Sequence, residues 1–221
     1  MSLVRYCLIC VVTLVLPGCA SFDPATVKDR TAGKPIEVVV GMPTDLTLAW
    51  VGTTVFNNES GREQLKGLNV RDVVGQATAT MLKESNRYPS IAVVNSDEQA
   101  PELLTKSVST STNLLLLYPC GAPDLAFQSN QFYRGVGLMQ RSQFGLTPRT
   151  AMHAVICGEV IDGTSRTSIA KADAVSYQRI EFPYLLSGPK INELYWPTVE
   201  DSMPFHIRAA LSRLLERLGL R

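Results

Sequence analysis

The chain has only two histidines, and its longest nearly unbroken apolar stretch, residues 6–16, is eleven residues long with only Thr13 polar. A membrane-spanning helix needs about 20 apolar residues, so this stretch is too short to span. An excess of charge is missing as well. Lys and Arg total 21 against 20 Asp and Glu, a formal net charge of +1. Nothing in that balance draws nucleic acid or an acidic surface by charge. The enzyme signatures fail too: there is no G-x-S-x-G and no H-E-x-x-H. Gly135-Val136-Gly137 opens a dinucleotide-type loop, but Gln140 stands where its last glycine belongs. Gly33-Lys34 is followed by Pro35, where a phosphate loop needs Ser or Thr. His153 and Cys157 are four residues apart, about 13 Å along a strand, too far to share a metal or a proton. His206 sits beside an apolar stripe and is expected half exposed. We therefore expect no catalytic residue, no metal and no cofactor, and read the chain as a non-enzyme.

What is present begins at the start of the chain. Arg5 precedes the apolar stretch, and Pro17-Gly18 ends it. Charge, length and small-residue ending fit a secretory signal peptide over residues 1–18. Leu16-Pro17-Gly18-Cys19 resembles the bacterial lipobox, which implies cleavage before Cys19 and acylation of that cysteine. Ala20 follows, where Asp would favour inner-membrane retention, so the resemblance implies the outer membrane, with the domain facing the periplasm. One acyl chain holds a protein only marginally, whereas several hold it permanently. Residues 19–35 are expected as the lipidated cysteine and a short tether, and residues 36–221 as a single domain.

Five cysteines are present. Cys7 and Cys10 fall in the signal peptide and Cys19 in the lipobox. Cys120 and Cys157 remain, either bridged, as an oxidising compartment allows, or buried as free thiols.

Periodicity sets the fold class. Residues 36–40, 46–56 and 91–94 read as strands, and Val70, Val73, Val74, Ala77, Met81 and Leu82 repeat at helical spacing behind Asn69 as N-cap. Residues 98–108 suit a short helix. Asn113 to Tyr118 is a continuous apolar run, as in a strand buried on both faces. Residues 149–161 and 167–180 suit an antiparallel hairpin about Asp162-Gly163. Ile207, Ala210, Leu211, Leu214, Leu215 and Leu218 make the apolar stripe of a final amphipathic helix. The expected fold is α/β with an α+β tail: a mixed, mostly parallel sheet flanked by helices, then the hairpin and the final helix.

Residues 51–95, with Phe56-Asn57-Asn58 and the helix after it, resemble the opening unit of a periplasmic α/β family. That family includes the amino-terminal domain of TolB, the curli secretion lipoprotein CsgG and the activator LpoB. The resemblance implies an envelope accessory protein that works by protein contact or self-assembly, for instance as activator of a cell-wall synthase. A pore is not implied, because residues 125–145 carry polar side chains on both alternate sets. A motif-less anchored hydrolase and a small-ligand binder are the other readings. Residues 119–148 form a long segment rich in aromatics. Phe127, Phe132, Tyr133, Arg134, Met139, Arg141 and Phe144 are its candidate partner contacts, since interfaces favour aromatics, Met and Arg.

Overall fold

The structure is a computed structural model that describes residues 22–52, 58–101, 112–121, 133–143, 146–180 and 185–221. The expected signal peptide, Cys19, Phe127, Phe132 and Phe144 lie outside these residues, as does most of the helix expected over 98–108.

Helix α1 is Pro24–Thr31. Strands β1 (Ile36–Val40), β2 (Leu46–Val51) and β3 (Asn58–Glu63) follow, then α2 (Val70–Glu84) and β4 (Ile91–Asn95). Next come β5 (Asn113–Pro119), β6 (Val136–Gln143), β7 (Leu146–Ile161), β8 (Ser168–Ile180) and α3 (Trp196–Arg217). Asn69 caps α2, its side chain accepting from the Asp72 N–H at 3.2 Å. The stripe of α3 is buried from Ile207 to Leu218. Helix α2 packs on β1 and β4, α3 packs on β7 and β8, and the two helices touch. Gly158 of β7 is the point of close approach: a Cβ there would lie 2.9 Å from Leu218 Cδ1 and 3.1 Å from Leu214 Cδ2.

The strands form one sheet that branches at β7. The long β7 pairs β8 along one edge, from Thr150 to Ile161. Its other edge is shared: Val136 to Gln143 of β6 pair its first half, and Leu114 to Pro119 of β5 pair its second half. From β6 one branch runs on to β2 and β3, and from β5 the other runs on to β1 and β4. At the parting point the Cys120 and Cys157 sulfurs are bonded, with Cα atoms 5.7 Å apart. The helix-covered face is one large core. The opposite face holds two smaller clusters, one per branch, and Cys157 packs against the first while Cys120 packs against the second.

Three observations differ from the sequence reading. The sheet is mixed without a parallel majority: among the described residues three pairings are parallel and four antiparallel. Residues 24–31 are helical rather than tether. Asp23 caps them, Val27 is buried in the large core, and Arg30 reaches Asp162 at 3.5 Å. Only Val27 and Thr31, one turn apart, are buried, which leaves no apolar period to read. Strand β3 falls in a stretch where the sequence places no element, because it lies at the edge of the sheet beside β2 and stays largely exposed.

Replacing Cys120 and Cys157 together with Ala is expected to lower folding stability by about 4 kcal/mol in the chain-entropy account of a loop of this length. Urea unfolding of the oxidised protein and the variant measures it, and equal midpoints would contradict it.

Candidate functional site

The arginine-bearing end of the second face brings several polar groups together. Side chains alternate along a strand, so Arg149, Ala151, His153 and Val155 of β7 share that face. Arg141 of β6 stands directly opposite Arg149, and Arg179 of β8 opposite Ala151. Arg141 is half-buried, while Arg149 and Arg179 are exposed. Tyr133 lies over the strands, its ring 5.2 Å from His153 and 5.7 Å from Tyr177, both edge-on. Between them is a cavity of about 40 Å³ lined by Tyr133, Met139, Arg141, Arg149, Thr150, Ala151, Tyr177 and Arg179. Ala151 is the small residue on its floor, flanked by longer side chains.

The segment carrying Tyr133 is fixed from behind. Thr47 Oγ1 donates to the Arg134 and Val136 carbonyls at 2.7 and 3.0 Å. Gly137 pairs Thr47 across parallel strands, and any Cβ there would collide with the Thr47 carbonyl. The Gly135 N–H donates to the Cys120 carbonyl at 3.0 Å, which ties the segment to the disulfide.

Among the expected partner contacts, Tyr133 and Met139 are only 1% and 3% exposed and belong to a core cluster rather than to the surface. Their apolar rings and chains fill the second face of the sheet, which is what the aromatic content of this segment serves there. Arg134 is exposed, and Arg141 lines the cavity. Gln140 points to the opposite face and is buried, bonding both the N–H and the carbonyl of Leu186. His206 is buried rather than half exposed, 3.2 Å from Ser176 Oγ. Arg149, Tyr177 and Arg179 escape a sequence reading. They converge only through the register of β6, β7 and β8, and a lone arginine on a strand carries no local signal.

The electrostatics of this end are unusual. Burial is the main cause that pushes the Tyr133 hydroxyl above its ordinary value; Tyr177 adds to the rise, while Arg179 and Arg141 oppose it. His153 is fully buried, and among the described residues no partner reaches either ring nitrogen in good hydrogen-bond geometry, although the Arg134 backbone lies near enough to oppose the effect of burial. Burial pulls it down from 6.5 to about 4, so the ring is neutral at neutral pH. Burial lowers His206 too. Among the described residues no group of three His, Cys, Asp or Glu is placed to hold a metal.

A second cavity, of about 510 Å³, lies between α2 and α3. Val73, Ala77, Met81 and Pro204 give it apolar walls, and Glu84, Arg208 and Arg221 charge its rim. Phe205, next in sequence to Pro204, is 68% exposed.

No protein-family model and no curated protein matches the chain. Solved structures match at low scores. The DUF330 protein XCC0632 of Xanthomonas campestris matches with a TM-score of 0.41 at 7% identity, over 84% of this chain and 82% of that one. The PelC dodecamer of Paraburkholderia phytofirmans matches with a TM-score of 0.34 at 10% identity, over 86% and 89%. The hypothetical protein CT253 of Chlamydia trachomatis matches with a TM-score of 0.34 at 11% identity, over 85% and 96%.

The histidines give this end a pH signature. Between pH 6.5 and about 4 the unfolded chain binds a proton that buried His153 does not accept, so stability is full above this window and falls as pH drops through it. The loss is on the order of 3 kcal/mol for His153, with His206 acting in the same direction. Urea midpoints at pH 7 and pH 4.5 should show the drop in the native chain and a much smaller one in His153→Phe. Equal drops in both would contradict the assignment.

Proposed function

We propose that the chain is an exported lipoprotein, held at the outer membrane by acylated Cys19, that serves as an envelope accessory protein through contact with other proteins or with its own copies. The lipobox-like Leu16–Cys19 supports the anchor. The Cys120–Cys157 bond supports the compartment, because disulfides persist where the surroundings are oxidising. With α1 docked on the domain and Phe22 packed on its core, Cys19 lies only four residues before the cap Asp23, so the domain would sit close against its membrane.

The observation that carries the contact reading is Phe205 of α3, 68% exposed and next in sequence to Pro204, which lines the crevice between α2 and α3. A bare aromatic ring on a helix that also walls an apolar crevice with a charged rim has the make-up of an interface. Leu194, 82% exposed just before α3, extends the same character. An activator of a cell-wall synthase is one accessory role of this kind, in keeping with the resemblance of residues 51–95.

Two measurements test the reading. Cys19→Ser should abolish fatty-acid labelling and release the protein from the membrane fraction or leave it as precursor. A photo-crosslinking residue at Phe205, activated in intact envelopes, should yield discrete adducts with a partner or a second copy. Labelling and membrane retention that survive Cys19→Ser would overturn the anchor, and absence of adducts would overturn the contact reading.

A further inference from the structure

Like charges placed directly opposite each other on neighbouring strands destabilise a sheet. Arg141 and Arg149 are such a pair, and Arg179 stands diagonal to Arg149 on the same face. None of the three has a carboxylate partner among the described residues. Some arginines elsewhere in the molecule are engaged: Arg71 bonds Asp97 and the Met42 carbonyl, while Arg213 and Arg217 bond carbonyls of β8. Arg62, Arg134 and Arg208 also lack a carboxylate partner among the described residues; what sets Arg141, Arg149 and Arg179 apart is that all three line one cavity.

We propose that this cavity is a binding site for a phosphate group, taken by Arg141, Arg149 and Arg179 with the Tyr133 and Tyr177 hydroxyls as neutral donors. The spacing suits it. Directly opposed residues have Cβ atoms about 5 Å apart and diagonal ones about 7–8 Å, so three guanidinium groups can close on one small group. A carboxylate offers two coplanar oxygens, which one bidentate arginine satisfies. Arginines arriving from three separate strands suit the tetrahedral spread of phosphate oxygens better. The volume of about 40 Å³ holds roughly three waters, room for a phosphate and not for the body of a large ligand. The rest of any phosphate ester would lie outside, where Arg149 and Arg179 are exposed. Tyr133 gives the site one rigid wall, since its ring is buried and braced against His153. The inference is independent of the anchoring proposed above.

The phosphate could belong to a soluble ester or to a lipid headgroup. The test uses the full chain in neutral detergent, titrated with inorganic phosphate at constant ionic strength set by chloride. Calorimetry and melting temperature should show saturable binding and stabilisation. Arg141→Gln with Arg149→Gln should weaken binding about tenfold or more, as should Arg179→Gln alone. Both variants should melt no lower than the native chain without phosphate, because a repulsion has been removed. Reconstitution into phosphatidylcholine vesicles with and without phosphatidic acid separates the sources. Loss of the soluble-phosphate response in the phosphatidic acid vesicles assigns the site to a headgroup, and an unchanged response assigns it to a soluble ester. No response of the native chain to phosphate, or an equal response in the arginine variants, would overturn the proposal.

Discussion

One edge of β7 serves two partners, and the molecule is organised around that sharing. A strand edge satisfies one neighbour at a time, so β5 and β6 must part where one ends and the other begins. The parting leaves backbone groups that need other partners. The Cys120 carbonyl takes the Gly135 N–H, and the Gly135 carbonyl takes the Val155 N–H at 2.7 Å. The disulfide then fixes the end of β5 to β7 at the residue where the ladder fails. On the second face the two branches carry separate apolar clusters, and the disulfide links the cysteine packed against one to the cysteine packed against the other.

The same junction shapes the chemistry of the second face. Residues 133–136 cross from one branch to the other, and their path drops Tyr133 onto β7 and β8. That ring seals His153 from water and stands as one wall beside the arginines. Beyond Ala151 the cover ends, and the three guanidinium groups begin. A dry, neutral imidazole and the exposed Arg149 thus sit four residues apart on β7, with Arg141 and Arg179 on the strands to either side. Burial keeps the first uncharged, and solvent supports the second.

Much of the fold was legible in the residues, for identifiable reasons. The run from Asn113 to Tyr118 is apolar at every step because β5 lies between β1 and β7 and is buried on both faces. The stripe from Ile207 to Leu218 repeats at helical spacing because α3 buries one side on the sheet. The turn after β7 shows in Asp162, whose side chain accepts from the Thr164 and Ser165 N–H groups at 2.9 Å. Strand β3 and helix α1 were not legible, since an edge strand and a two-turn helix bury too little to leave a period. The cationic cavity was invisible for a different reason. Its members lie on three strands, as many as 38 residues apart between Arg141 and Arg179, and only the register unites them. Tyr133 misled because aromatics in a polar segment suit an interface and a buried lid equally well.

The claim that the Cys120–Cys157 clamp holds the branch point is tested most directly by residue-resolved hydrogen exchange before and after gentle reduction. The account predicts that the amides of Gly135 and Val155, which close the junction, lose protection first, while those of β1 and α2 keep theirs. An even loss of protection across the whole sheet, or none at the junction, would contradict it.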